Sequence, residues 1–239
     1  MRSAILLWLL ASPSIALGQA EASAPKPERR LVDRVVAVVN REPLLLSQLE
    51  LEARVTLISQ GATSAATSEL TETDLASALD YAIGQRLANT EAERLQVFAA
   101  DDEEVLRALA SLASRFASPA DFRTFLSARE ASEEQLAAIV RRQLRVTRYL
   151  DSRVKVAARV SEEELKRYFQ DHPADFDGQA FPQVRESIRT ALVRDRYRVL
   201  AKKQLDDLRA RAEVRVLARF EASKPKPTAS GPGGFGSKP

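Results

Sequence analysis

Residues 31–60 read LVDRVVAVVNREPLLLSQLELEARVTLISQ and contain the two secondary-structure signals on which the fold depends. The first signal is a run of β-branched residues that favours a strand, and its members are Val32, Val35, Val36, Val38 and Val39. Residues 40–43 supply turn chemistry. Ser47 and Glu50 then have the spacing of a capping box, which predicts a helix over residues 47–60. The stretch therefore predicts a strand, a turn and a helix, in that order.

The opening strand needs a partner, because a single strand is not stable in water. A comparable segment lies near the other end of the chain, in residues 213–220 (EVRVLARF), where apolar and polar positions alternate. We expect residues 33–39 to pair with residues 213–217, with the Val216 amide donating to the ladder. The two ends of the domain would then meet.

The sequence between these segments predicts helices. Residues 74–95 carry a buried apolar stripe, residues 61–72 are small and polar and predict a loop, and residues 182–212 predict one long helix. Shorter helices begin at cap signals, which are Asp101 with Glu104, Ser118 with Pro119, Ser132 with Gln135, and Ser161 with Glu164. The predicted fold is mainly α: a helical bundle with a long C-terminal helix and a small antiparallel sheet that joins the N- and C-terminal strands.

Charged residues offer little catalytic chemistry. The run Asp101, Asp102, Glu103 and Glu104 resembles a set of paired carboxylates, but acids are favoured at a helix N-terminus, so we interpret them as capping residues. Arg141, Arg142, Arg145 and Arg148 form a basic row on one helix. Such a row is either a contact for an acidic partner or, more often, a solvated face, and we expect the solvated face.

The chain has one histidine, His172, and no cysteine, which argues against Cys/His dyads and His-based zinc sites. No glycine-rich phosphate loop occurs outside the C-terminal tail. We expect no catalytic residues, no metal and no cofactor. An enzyme is therefore the weakest of the function classes.

Residues 1–18 have a basic start, an apolar core and small residues near a cleavage point, which predicts a signal peptide and a periplasmic product. Residues 19–30 predict a flexible leader, and residues 221–239 a disordered basic tail that can be removed at little cost in stability. Of the net charge of +3, Arg2 contributes +1 and the tail +2, which leaves zero for residues 19–220. Nucleic-acid binding is therefore not expected.

Four segments together resemble the N-terminal domain of SurA-type periplasmic chaperones. They are residues 33–50 (DRVVAVVNREPLLLSQLE), 75–97 (LASALDYAIGQRLANTEAERLQV), 140–169 (VRRQLRVTRYLDSRVKVAARVSEEELKRYF) and 181–217 (FPQVRESIRTALVRDRYRVLAKKQLDDLRARAEVRVL). The last of these is similar to the helix and strand that, in that family, follow the parvulin domains and return to complete the chaperone core. The resemblance covers most of residues 31–220.

The chain departs from that family at residues 171–181. There the family carries one or two parvulin-type prolyl isomerase domains, whereas this chain has only a short turn. The resemblance therefore implies an ATP-independent holdase for unfolded, outer-membrane-type proteins that lacks isomerase activity and stable membrane insertion.

Candidate client-binding residues are the aromatic residues Phe116, Phe122, Phe125, Tyr149, Tyr168 and Phe169. Aromatic residues at helical spacing more often belong to a core, so both readings stay open at this point. The alternative function is a helical adaptor that docks one defined periplasmic partner.

Overall fold

The structure is a computed structural model that describes residues 33–96 and 98–220. The helices in this part are α1 (Leu46–Ser59), α2 (Thr63–Thr67), α3 (Glu72–Arg94), α4 (Asp102–Ala113), α5 (Pro119–Ser127), α6 (Glu133–Val154), α7 (Glu162–Asp171) and α8 (Phe181–Arg209). The strands are β1 (Val35–Val39), β2 (Glu42–Leu45) and β3 (Val214–Val216), and a 3₁₀ turn, Pro173–Phe176, precedes α8. The prediction of a mainly helical fold with a small antiparallel sheet is confirmed. The predicted signal peptide, leader and C-terminal tail lie outside the described residues.

The sheet joins the two ends of the described chain, as expected. Its strand order is β2-β1-β3, and both pairings are antiparallel. Ala37 lies opposite Val216, and Val39 lies opposite Val214. The paired segments therefore come from residues near the first and last described positions.

The hydrogen bonds of this pairing correct one expectation. The Asn40 amide donates to the Glu213 carbonyl over 2.8 Å, and the Leu217 amide donates to the Val36 carbonyl over 2.9 Å. Backbone groups alternate in direction along an antiparallel ladder, so the Val216 amide points away from β1. The prediction that Val216 donates to the ladder is wrong, and its neighbour Leu217 does so instead.

The segment after β1 forms a hairpin that was predicted only as a turn. Asn40 and Arg41 both have positive φ, at 49° and 71°, as in a two-residue hairpin loop. The chain therefore reverses at once, and Glu42 pairs with Val39 as the first residue pair of β2.

Helix α1 begins without the predicted capping box. Gln48, not Glu50, reaches back, because its Oε1 accepts the Leu45 amide over 3.2 Å. Ser47 lies inside the helix, and its hydroxyl donates to Asp33. The helix start is thus set by β2, which ends at Leu45.

The other start signals are used as predicted. Asp101 Oδ1 accepts the Glu104 amide over 2.7 Å, and Glu104 Oε2 accepts the Asp101 amide over 3.1 Å. The caps of α5, α6 and α7 are Ser118, Ser132 and Ser161. The predicted loop over residues 61–72 contains the short α2, and α3 starts two residues before its predicted beginning.

The buried residues form three clusters. The first lies between the sheet, α3, α6 and the C-terminal half of α8, and the second between α1, α4, α5 and α6. The third lies between α7, the 3₁₀ turn and the N-terminal half of α8. The 29 residues of α8 therefore contribute to two clusters, over a helix length of about 43 Å.

Gly84 marks a close approach of α3 and α8. A Cβ atom at Gly84 would lie 3.4 Å from Leu205 Cδ1. The absence of a side chain lets the two helices pack tightly at this point.

Candidate functional site

The first three candidate client-binding residues pack against one another. The ring centroid of Phe116 lies 5.4 Å from that of Phe122 and 5.3 Å from that of Phe125. Phe125 is buried in the second cluster, and the other two rings are half-buried against it. These residues form part of the core between α1, α4 and α5.

The other three candidates lie elsewhere. On α7, Tyr168 and Phe169 pack against Phe176, with centroid distances of 6.3 Å and 5.0 Å. Tyr149 is 1% exposed in the first cluster, and its hydroxyl accepts a hydrogen bond from Gln204 Nε2 over 2.9 Å. The six aromatic residues are thus divided among three clusters and share no surface in this structure. The core reading is the one that their packing supports.

The basic row of α6 is not a solvated face, which corrects a second expectation. Arg141 pairs with Asp102 at 2.7 Å, and Arg148 pairs with Glu104. Arg145 pairs with Glu93 and also donates to Asn89. Each partner lies on α3 or at the start of α4, so these long side chains hold neighbouring helices to α6.

Arg142, the remaining member of the row, takes part in a buried ion cluster with Glu52 and Arg86. Arg142 lies 2.8 Å from Glu52 Oε1, while Arg86 binds both carboxylate oxygens at 2.8 Å and 3.0 Å. The Glu52 side chain is 10% exposed. One carboxylate therefore lies between two guanidinium groups and links α1, α3 and α6.

A groove of about 300 Å³ lies next to this cluster, between α1 and α3. Helix α1 contributes Glu52, Ala53, Thr56, Leu57 and Gln60, and α3 contributes Asp74, Ser77, Ala78 and Tyr81. On each helix the lining residues include an i, i+3, i+4, i+7 set, which is one continuous helical face. We call this site the α1–α3 groove.

The α1–α3 groove combines an apolar surface with unused polar groups. Its apolar side chains are those of Ala53, Leu57 and Ala78. The side chains of Gln60, Ser77 and Tyr81 have no hydrogen-bond partner among the described residues. The groove can therefore receive an apolar group and also donate or accept hydrogen bonds beside it.

Tyr81 is the exposed aromatic residue of the groove, with 45% of its surface accessible. Desolvation raises the pKa of its phenol, Arg142 opposes this shift, and Glu52 adds to it. The hydroxyl therefore keeps its proton at neutral pH and is available as a donor.

Asp74, the acidic residue at the other end of the groove, is already bound. Its carboxylate accepts the Thr71 amide over 2.9 Å and the Thr71 hydroxyl over 2.7 Å, and these bonds lower the pKa of Asp74. Together with the Glu52 cluster, this leaves the groove without an uncompensated charge.

A second groove of about 290 Å³ lies between α4 and α6. It is lined by Ser59, Ala108, Ser111, Leu112, Arg115, Val140, Gln143, Leu144 and Thr147. The guanidinium of Arg115 has no ion-pair partner in the described part of the chain. This α4–α6 groove therefore differs from the first in carrying a positive charge.

Sequence reasoning identified neither groove. The apolar lining residues are mostly small, and no aromatic pattern marks them. The i, i+3, i+4, i+7 sets are visible in the sequence, but the same spacing is typical of residues buried in a core.

Comparison with known proteins identifies no relative: no family model matches the chain, and neither does any curated protein. Within the described residues, no helix combines the length and the apolar character needed to cross a bilayer. The same residues contain no group of three His, Cys, Asp or Glu side chains placed to bind a metal ion.

Proposed function

We propose that this protein is an ATP-independent holdase chaperone of the periplasm, which binds unfolded outer-membrane-type proteins and has no prolyl isomerase activity. The pairing of β1 with β3 supports this proposal most directly. The resemblance to SurA-type chaperones implies that the C-terminal helix and strand return to complete the core begun by the N-terminal strand. The arrangement of α8 and β3 is consistent with that implication.

The proposed clients set a physical requirement on the binding surface. Strands of outer-membrane barrels alternate apolar and polar residues, and they cannot bury the apolar ones before insertion. A holdase must offer apolar surface in small, charge-rimmed areas, so that it binds these segments without aggregating itself. Two grooves of about 300 Å³ and 290 Å³, each with both apolar and polar lining residues, are consistent with this requirement.

The proposed lack of isomerase activity rests on the short connection between α7 and α8. The elements end at Asp171 and resume at Phe181, with the 3₁₀ turn between them. His172 lies in this connection, where its ring stacks on Tyr168 at 4.2 Å and its Nδ1 lies 2.9 Å from the Tyr168 carbonyl oxygen. A proline-limited refolding assay tests this point, and acceleration that survives removal of contaminating isomerases would contradict it.

The test of the main proposal is aggregation of a denatured β-barrel protein diluted into buffer, followed by light scattering. We expect the full-length chain to suppress aggregation at a near-stoichiometric ratio, without ATP. Unchanged scattering at several-fold excess would reject the holdase proposal.

A second candidate function is an adaptor that docks one folded periplasmic partner. The edge of the sheet favours this alternative, because β3 has no second neighbour among the described strands and Val216 and Leu217 are 46% and 59% exposed. Specific capture of one folded partner, without suppression of aggregation, would favour the adaptor.

A further inference from the structure

We propose that the α1–α3 groove binds a short extended segment of a client, with one apolar side chain between the two helices and main-chain groups bonded to Gln60, Ser77 and Tyr81. This inference rests on the proposed holdase function and locates its binding site. It commits to uncharged, strand-like polypeptide as the ligand.

The dimensions of the groove suit a short segment. Each lining set runs from position i to i+7, which corresponds to about 10 Å along a helix. An extended chain rises about 3.3 Å per residue, so about three residues span this length. The volume of about 300 Å³ lies at the lower end of the range for ligand pockets. One large side chain, flanked by two residues whose side chains point away, matches these limits.

The charges of the groove favour an uncharged ligand. Glu52 is neutralised by Arg86 and Arg142, and the Asp74 carboxylate is occupied at the start of α3 by Thr71. A charged side chain entering this space would lose its hydration without gaining an unpaired opposite charge. An apolar residue loses nothing of this kind and gains burial against Ala53, Leu57 and Ala78.

The polar groups of the groove favour an extended ligand over a helical one. A helix satisfies its backbone hydrogen bonds internally, so an amphipathic helix would need only the apolar surface. An extended segment brings unpaired N–H and C=O groups, which must be bonded when they lose water. The Gln60 amide, the Ser77 hydroxyl and the Tyr81 hydroxyl are unpartnered among the described residues and lie on both walls of the groove.

The α4–α6 groove provides a matched comparison within the same molecule. Its volume is similar, at about 290 Å³, but it contains the unpaired Arg115. An uncharged strand-like segment would have to desolvate that guanidinium, which costs free energy. We therefore expect the two grooves to differ in their affinity for such a segment.

The experiment compares two groove-filling variants of the full-length chain, Ala78→Trp and Ala108→Trp. Both alanines are half-buried helical residues, one in each groove. The probe is a fluorescent ten-residue peptide that alternates Phe or Leu with Ser or Thr, and its binding is followed by anisotropy. We expect Ala78→Trp to raise the dissociation constant at least about tenfold and Ala108→Trp to leave it within about twofold. Circular dichroism and thermal unfolding establish that both variants are folded.

Photocrosslinking in an otherwise unchanged chain covers the case in which Ala78→Trp does not fold. A benzoylphenylalanine at position 81 replaces the exposed Tyr81, and the control position is Leu106 on α4, which is 64% exposed. We expect crosslinks to the peptide from position 81 and none above background from position 106. Equal crosslinking from both positions would overturn the proposal.

The remaining outcomes separate the groove from the function. Peptide binding that is equal in all three chains overturns the groove and leaves the holdase proposal standing. Failure of the unmodified chain to bind the peptide also overturns the groove, and the aggregation assay then decides the holdase proposal independently. Tighter binding of a helix-forming peptide of the same composition would replace the extended ligand with an amphipathic helix.

Discussion

Ala37 and Val216 lie opposite each other in the sheet, although almost all of the described chain separates them in sequence. Their strands belong to the same sheet because the C-terminal half of α8 packs in the first cluster, beside the residues of β1. The contact therefore depends on nearly every other element being in place.

The first prediction concerns two neighbouring exposed residues of this pairing. Leu217→Pro removes the amide that donates to Val36, whereas the Val216 amide points away from β1. We expect Leu217→Pro to reduce the free energy of unfolding by about 2 kcal/mol and Val216→Pro by less than about 1 kcal/mol, because proline is tolerated where an edge-strand amide faces outward. Urea unfolding measures the difference. Equal losses would show that the register is not the one described.

The second prediction concerns the buried ion cluster. Glu52→Gln leaves Arg86 and Arg142 without a counter-charge, so we expect a loss of about 3 kcal/mol in the free energy of unfolding. The control is Glu103→Gln, since Glu103 and its partner Arg107 are 79% and 62% exposed. That change should cost less than about 1 kcal/mol. Similar losses in the two variants would mean that the Glu52 cluster is as hydrated as a surface pair.

The third prediction concerns the approach of α3 and α8. Gly84→Ala places a methyl group at ordinary contact distance from Leu205, so the helix propensity of alanine should raise stability by about 0.5 kcal/mol. Gly84→Leu exceeds the space and should cost about 2 kcal/mol through overpacking. Thermal and urea unfolding of both variants check this. A loss with alanine as large as that with leucine would indicate a tighter contact than the one described.

The fourth prediction concerns acid stability. The hydrogen bond from Arg196 lowers the pKa of Glu164 from 4.5 to about 2. Because the folded pKa lies below the unfolded one, the stabilisation is present above about pH 4.5 and is lost as the pH falls from there toward about 2.

Glu164→Gln retains a side chain that can bond to the Ser161 amide, as Glu164 does over 2.8 Å, but it removes the titrating charge. We expect the urea midpoint of the variant to fall less steeply than that of the parent between about pH 4.5 and about pH 2. Parallel curves over this interval would show that the Arg196 contact adds nothing to acid stability.

The sequence predicted the elements whose signals are local. The reciprocal caps at Asp101 with Glu104 and at Ser161 with Glu164 start α4 and α7 as expected, because such bonds join residues only three positions apart. The pairing of β1 with β3 was also predicted, since few other segments could supply a strand.

The errors arose where distant contacts decide the structure. Ser47 has the sequence of a cap, but β2 sets the start of α1 and the Ser47 side chain binds Asp33 instead. The hairpin at Asn40 and Arg41 lacks the glycine that normally marks such a loop, so β2 was not predicted.

The basic row and the grooves were missed for a related reason. The pairing of Arg142 with Glu52 joins residues on different helices, and no spacing rule within one helix predicts it. The α1–α3 groove likewise arises from the relative placement of two helices, each of which looks ordinary by itself.

The proximity of the two ends makes the order of the elements along the chain open to change. The Arg34 guanidinium carbon lies 5.6 Å from the centroid of the Phe220 ring, so a short linker can join the two ends. Gly178 has no atom within 4 Å of the place of a Cβ, which makes residues 177–178 a suitable position for new termini.

A circular permutant of residues 33–220 opened there would begin with α8 and end with α7. Its β3 would directly precede β1, so the sheet contact that is the most distant in the natural order would become a local one. Folding rates rise as contacts become more local in sequence, and stopped-flow refolding of the permutant should therefore be faster than that of the natural order.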